Sequence, residues 1–318
     1  MNALVVGSGW ARMTGEVFAA RDGVRVAGVV ARGSPRSFAL ARELGAPLFT
    51  SLAEAIAETR PTLAVVAVGD ADNPLLSRDL LEAGSHVLCA HPVARTPEQV
   101  ADLAHLARER RLIAATDYSM RLTPPFLAAL GQLAGLGDLL RVDITFPGRF
   151  LPIALDLAMG VAGSVDALSA FGQYPAPLAV PRSATPSAYS PTIVLEHSRG
   201  VVTALTPTPH ATPSSAIRIT TSSTRGRLDI GLPAGGARRV RMVSTRAGYE
   251  EEVLLDPEVC DDARQLYRTA MQRVADAFVD AATRGGPPPC PLETEVEVRR
   301  LWRAIPVALR TQSRVEIA

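Results

Sequence analysis

The stretch Ala3-Leu4-Val5-Val6-Gly7-Ser8-Gly9-Trp10-Ala11-Arg12 constrains the fold more than any other. An uncharged apolar run empties into a glycine turn and then into a helical pattern. A first parallel strand hands a dinucleotide to the first helix in this way. Gly7 permits a tight turn, and Gly9 lets the backbone approach a pyrophosphate on the helix N-terminal amides. The sixth place of G-x-G-x-x-G is Arg12. A purely structural turn therefore stays open until the following strands are read.

Those strands come at a regular cadence. Thr14 to Arg21 is helical in pattern, Val24 to Ala31 is an apolar β-branched run, Ser37 to Leu44 is helical up to Gly45, and Ser51 to Glu58 is a short helix. Leu63 to Val68, His86 to Ala90 and Leu112 to Thr116 are further strands. They are separated by helical Asn73 to Ala83 and by amphipathic Thr96 to Arg110, with Pro97 just inside its start. Apolar runs without alternation are strands buried on both faces, and strand–helix–strand at this spacing is a parallel doubly wound sheet. Residues 1–122 are expected to form a Rossmann domain on five such strands.

After Tyr118 the period changes. Pro124 to Leu136 is helical up to Gly137, and Leu139 to Phe146 alternates, with Val142, Ile144 and Phe146 set against Arg141, Asp143 and Thr145. Alternation of this kind marks a half-buried antiparallel strand. Phe150 to Phe171 reads as mostly helical and Tyr174 to Pro191 as a Pro/Ser/Ala-rich connection. Strands are expected at Thr192 to His197, Val201 to Thr206, Ala216 to Thr221, Arg227 to Ile230 and Arg239 to Ser244, then helices at Ala263 to Arg284 and Glu293 to Arg310. Residues 123–318 thus read as an α+β domain on a largely antiparallel open sheet. That domain would bind substrate, and its exposed sheet face would join two copies as a homodimer.

Composition excludes more than it assigns. A net charge of +1 leaves no field strong enough for nucleic acid or an acidic membrane. No apolar run is long enough to span a bilayer, and the N-terminus lacks a basic leader segment, so a cytoplasmic location is expected. Cys89, Cys260 and Cys290 are scattered, and the five histidines show no ligand spacing, so no metal is expected. All 33 basic residues are arginine. That excludes a Walker A lysine, a Schiff base and any lysine acid or base.

Nucleotide preference is declared at the end of the second strand, about 20 residues past the glycines, where an acidic side chain would bind the ribose of NAD. Here that place reads Ala31-Arg32-Gly33-Ser34-Pro35-Arg36, with no carboxylate. Guanidinium matches phosphate bidentately, and a hydroxyl adds a neutral hydrogen bond. NADP(H) is expected, with Arg32, Ser34 and Arg36 on its 2′-phosphate.

In an open parallel sheet, ligands bind outside the carboxyl ends of the strands. His91 follows the fourth strand, ahead of Pro92, and Tyr118 follows the fifth after Asp117. Neighbouring strands lie about 4.8 Å apart, so the two side chains can face one cleft as acid–base groups. A packing histidine and an ordinary seam tyrosine are the alternatives. Arg121 and Arg149 are candidate contacts for a carboxylate or a phosphopantetheine, or plain surface arginines.

At these residues the chain resembles the glucose–fructose oxidoreductase/inositol dehydrogenase (Gfo/Idh/MocA) superfamily. Most of its sugar-oxidising members carry Glu-Lys-Pro where this chain has Ala90-His91-Pro92, and a downstream Asp-x-Gly-x-x-x-His that Leu151 to Phe171 lacks. Ala27 to Ser37, Ala41 to Pro47, Leu48 to Leu52 and His91-Pro92-Val93 are similar to the thiazolinyl imine reductases of siderophore assembly lines, and Trp10-Ala11 to that branch's aromatic–glycine pair. The likeness is densest over residues 1–120. It implies NADPH-dependent reduction of a thiazoline C=N bond on an intermediate tethered to a nonribosomal peptide synthetase carrier protein. The proposed acids of that branch map onto His91 and Tyr118, and His91-Pro92 would also border the cofactor together with Gly7, Ser8, Gly9, Trp10, Ala11, Arg12, Arg32, Gly33, Ser34 and Arg36. A ketoreductase acting on another secondary metabolite and a non-catalytic NADP(H) sensor remain open beside it.

Overall fold

The computed structural model describes residues 1–172, 191–208, 217–232, 240–246, 249–255 and 263–317. The chain forms two compact units. One is Met1–Ser119 with Arg268–Arg299, the other Met120–Tyr267 with Arg300–Ala318. This departs from the expected division at 122/123, because the segment Arg268–Arg299 packs with the N-terminal unit.

The N-terminal unit alternates β1 (Asn2–Val6), α1 (Ala11–Ala19), β2 (Arg25–Val30), α2 (Pro35–Glu43), β3 (Leu48–Phe49), α3 (Leu52–Thr59), β4 (Leu63–Val66), α4 (Asn73–Glu82), β5 (His86–Cys89), α5 (Pro97–Glu109) and β6 (Ala114–Thr116). Its six-stranded parallel sheet runs β3-β2-β1-β4-β5-β6. Strand order reverses between β1 and β4, which makes that point the natural crevice for a ligand. Alternate residues of β1 serve opposite faces. Val5 joins Ala11, Val29 and Leu40 on one side, while Leu4 and Val6 join Phe49, Leu80 and Leu103 on the other. Because both faces are covered, these strands carry no polar alternation. The sequence reading missed β3, whose two residues are too few to show a period.

Most of α8 (Ala263–Arg284) and the first turns of α9 (Leu292–Thr311) complete this unit. Helix α8 sets Phe278 against Phe18, with ring centroids 6.2 Å apart, and its Arg268 pairs with Glu16. Helix α9 places Leu292 and Val296 in the core that α5 covers. Each such apolar side chain contributes about 1.5–3 kcal/mol on burial.

The second unit holds α6 (Pro124–Leu133), β7 (Leu139–Pro147), α7 (Leu151–Ala162), β8 (Val165–Phe171), β9 (Thr192–His197), β10 (Val202–Thr208), β11 (Ile217–Ser223), β12 (Gly226–Leu232), β13 (Val240–Arg246), β14 (Tyr249–Leu255) and the short β15 (Val315–Glu316). Its nine strands run β14-β13-β12-β11-β7-β10-β9-β8-β15. Only the β7–β10 pair is parallel among them. Val142, Ile144 and Phe146 are fully buried on the inner face, where α7 packs against β7 and β10.

Three expectations change in this unit. The helix begun near Phe150 ends at Ala162, because Gly163 takes φ +88°, and the chain returns as strand β8. The expected helix to Leu136 finishes as a 3-10 turn over Ala134–Leu136. Strands β14 and β15 had no clear alternation to announce them. The Tyr174–Pro191 connection lies almost wholly outside the described residues.

Candidate active site

The glycine turn forms at the switch point. Gly7 has φ +113°, and a Cβ there would lie 2.4 Å from the Ala67 carbonyl oxygen, so no other residue fits. Its amide donates to the Val30 carbonyl at 2.9 Å, which ties the turn to the end of β2. At Gly9 a Cβ would meet nothing within 4 Å. The space over Gly9 is open, and α1 begins two residues later with no side-chain cap and no acidic residue in its first turn. That arrangement fits a pyrophosphate. Ser8 is half-buried, Trp10 is 50% exposed, and Ala11 is fully buried. Gly15 does the packing that a third motif glycine would do, since a Cβ there would press on Leu44 and Val5. The sequence reading overlooked it because it sits outside the motif's spacing.

Arg12 sits in the first turn of α1. Its guanidinium pairs with Glu43 at the end of α2, so its charge is already neutralised. Arg32 and Arg36 are exposed and make no ion pair or hydrogen bond among the described residues. Between them Gly33 takes φ +74°, and the Ser34 hydroxyl caps α2 by accepting from the Ser37 amide at 3.3 Å. Two uncommitted guanidiniums beside a helix N-terminus, with the glycine turn on the neighbouring strand, suit the 2′-phosphate of NADP(H).

His91 and Tyr118 come together. Their rings stack with centroids 5.1 Å apart and planes 9° apart. The strands that carry them, β5 and β6, are neighbours. The peptides around His91 are anchored on both sides. Asn73 donates to the Ala90 carbonyl at 3.2 Å, and the Val93 amide donates to Glu295 at 3.1 Å. The His91–Pro92 bond is cis. His91 Nδ1 is enclosed without a partner in the structure. Nε2 likewise makes no hydrogen bond among the described residues.

Burial pulls the His91 pKa below the usual 6.5, against the pull of Asp117 and then Glu295, while Arg299 reinforces the lowering. Asp117, also buried, is pushed above the ordinary carboxylate range, chiefly by burial, despite His91 and its bonds from Ser119.

Two members of this cluster were not found in the sequence. Glu295 is fully buried on α9, accepts from the Tyr118 hydroxyl, and takes the Arg299 Nε at 2.8 Å. Leu292, Glu295, Val296 and Arg299 fall at helical spacings on one buried stripe. Charges on an apolar stripe were the available signal.

Arg121 is also committed. It binds Asp156, which is fully buried on α7, through Nε at 2.8 Å and Nη2 at 2.7 Å. The side chain of Arg149 lies outside the described residues. Cys89 and Cys290 are buried, and burial pushes the Cys89 thiol up to about 12, so it is inert. Among the described residues, no group of His, Cys, Asp or Glu is arranged to hold a metal, and no helix is long and apolar enough to cross a membrane.

Residues 1–118 match the Gfo/Idh/MocA family model, described as an oxidoreductase family with an NAD-binding Rossmann fold. The match spans the strands β1 to β6 of the parallel sheet and is a similarity of that stretch to the family. No curated protein matches the chain in sequence. Among solved structures, an oxidoreductase from Agrobacterium radiobacter in complex with NAD+, L-tartaric acid and magnesium is 15% identical with a TM-score of 0.85, over 100% of this chain and 98% of that one. GenD2 from gentamicin A biosynthesis, in complex with NAD, is 20% identical with a TM-score of 0.82, over 100% and 96%. The UDP-N-acetylglucosamine 3-dehydrogenase GnnA from Acidithiobacillus ferrooxidans is 19% identical with a TM-score of 0.78, over 98% of each chain. At these identities the likeness shows a shared fold along the whole chain.

Proposed function

We propose that this protein is an NADPH-dependent reductase of a thiazoline C=N bond, acting on an intermediate tethered to a carrier protein of a nonribosomal peptide synthetase. The observation that carries this reading is the His91–Tyr118 stack at the ends of β5 and β6. It stands in a chain with no lysine, whereas the sugar-oxidising relatives use a lysine at the place of His91.

A reduced nicotinamide bound over the glycine turn supplies a hydride. Gly7 and Gly9 leave room for its pyrophosphate, Arg32 and Arg36 select the 2′-phosphate with the Ser34 hydroxyl beside them, and exposed Trp10 borders the site. His91 supplies the proton that the imine nitrogen needs, from Nε2. General acids of this kind contribute about 10²- to 10⁴-fold. The carrier-protein partner rests on the family resemblance, and a homodimer through the open face of the nine-stranded sheet is proposed with it.

Following NADPH absorbance with a 2-substituted thiazoline thioester tests the reading. Turnover supports it. Turnover with ketones alone would make the protein a ketoreductase, and cofactor binding without any turnover would make it a sensor.

A further inference from the structure

Ala90 stands next to His91 where relatives carry a glutamate, so the histidine has no carboxylate beside it in the chain. The fold brings one from elsewhere. Glu295, from α9 and about 200 residues away, is fully buried and touches three groups of this site. It accepts from the Tyr118 hydroxyl, from the Val93 amide and from the Arg299 guanidinium. The Tyr118 hydroxyl thus points at a carboxylate, and its ring is 1% exposed. A phenol held in this way has its proton committed, and what it offers His91 is a flat ring.

We propose that Glu295 is a positioning residue that fixes the Tyr118 ring as a backing for the His91 imidazole and secures the turn at Val93, leaving His91 as the proton donor. This rests on the reductase reading given above. In the step itself the His91 N–H bond breaks and an N–H bond forms on the imine nitrogen as the C=N π pair moves onto that nitrogen. The hydride that completes the carbon comes from the reduced cofactor, which leaves oxidised. Histidine returns to the neutral form and is reprotonated from solvent.

The groups facing His91 are Asp117 from the end of β6 and Glu295 and Arg299 from α9. Neutralising Glu295 removes one of the two carboxylates that favour the imidazolium and leaves the opposing Arg299. The His91 titration midpoint then falls. The ring-current shift, unlike that midpoint, reports the placement of the Tyr118 ring itself.

The test is a nuclear magnetic resonance titration of histidine-labelled full-length protein, with His91 assigned through His91→Gln. The stacked Tyr118 ring shifts the His91 Cε1–H resonance by its ring current. Expected for Glu295→Gln are a lower titration midpoint and a smaller ring-current shift, because an amide holds the phenol more weakly than a carboxylate does. Tyr118→Phe keeps the ring and breaks the same bond from the other side. It reduces the shift too, and serves alone if Glu295→Gln does not fold. In NADPH turnover the two single variants and their double variant lose rate to a similar extent, within about 10-fold, because all three break one contact. An unchanged His91 midpoint and shift in Glu295→Gln, or an unchanged shift in Tyr118→Phe, overturns the proposal. So does a rate loss confined to Tyr118→Phe, which would make the phenol the acid. If wild-type protein turns over no thiazoline, the reductase reading fails while the resonance measurements still decide the role of Glu295.

Discussion

The His91 imidazole and the Tyr118 phenol lie face to face, 5.1 Å between centroids, with only 9° between their planes. The two residues differ in their contacts. Tyr118 directs its hydroxyl at Glu295, while His91 Nε2 makes no hydrogen bond among the described residues. His91→Gln is therefore expected to lower kcat by about 10²- to 10⁴-fold. NADPH affinity measured by fluorescence titration should stay within a few-fold of wild type.

The same histidine sets a pH dependence. Burial holds its pKa below 6.5, and the proton donor must be charged to act. If His91 is the donor, the active form disappears as pH rises through that value, so kcat/KM for the thiazoline should fall with rising pH, with a midpoint below 6.5. A pH–rate profile at saturating NADPH checks this. The descending limb should be missing in His91→Gln.

Arg32 and Arg36 have no partner among the described residues and stand at the end of β2 beside the glycine turn. A charge-assisted contact is worth about 1.5–3 kcal/mol, and each 1.4 kcal/mol is about tenfold in affinity. Arg32→Ala and Arg36→Ala should each weaken NADPH binding by about 10- to 100-fold and leave NADH binding unchanged. Equal catalytic efficiency with NADPH and NADH in wild-type protein would contradict the assignment of the 2′-phosphate site.

The two glycines of the turn differ in what an added methyl would meet. At Gly7 the methyl would collide with the Ala67 carbonyl in a backbone of φ +113°, so Gly7→Ala should lower thermal stability by at least ~1–3 kcal/mol. At Gly9 nothing lies within 4 Å. Gly9→Ala should melt like wild type and lose NADPH affinity, because the methyl occupies the space left for the pyrophosphate. Thermal melts with and without NADPH separate the two effects.

His197 gives a stability prediction away from the site. It is buried, with Nδ1 on the Gly163 carbonyl at 2.9 Å and Nε2 on the Thr203 hydroxyl at 2.8 Å. Burial lowers its pKa from 6.5, so the unfolded chain takes up a proton that the folded one refuses. Its contribution to stability is complete above the unfolded value and is lost as pH falls from about 6.5 through the folded value. Denaturant midpoints should drop between neutral and mildly acid pH, and less so in His197→Gln.

The N-terminal sheet was legible because strands buried on both faces leave uninterrupted apolar runs. Only β3, at two residues, was too short to register. The second domain was legible where one strand face is wet, as in β7, and illegible at β8, where the apolar run after Ala162 reads equally as helix. The positions of His91, Tyr118 and the Arg32–Arg36 turn just past strand ends were legible, because strand ends announce themselves. The partners of Arg12 and Arg121 were not legible, because an arginine on a surface pattern does not reveal the carboxylate it will meet. Glu43 and Asp156 are those carboxylates. Glu295 lay hidden for a related reason. Its partner Tyr118 is 177 residues away, and nothing local links a helix carboxylate to a distant strand end. The same long-range packing carries Arg268–Arg299 back to the N-terminal unit against a linear division of the chain.

The most direct measurement is a mass-spectrometric assay of the thiazoline thioester incubated with the protein and NADPH deuterated at the transferring carbon. The expected result is a thiazolidine carrying one deuterium on the former imine carbon, formed in step with NADPH loss and diminished in His91→Gln. Recovery of unreduced thiazoline alongside unconsumed NADPH, with binding of the cofactor demonstrated in the same sample, would contradict an imine reductase.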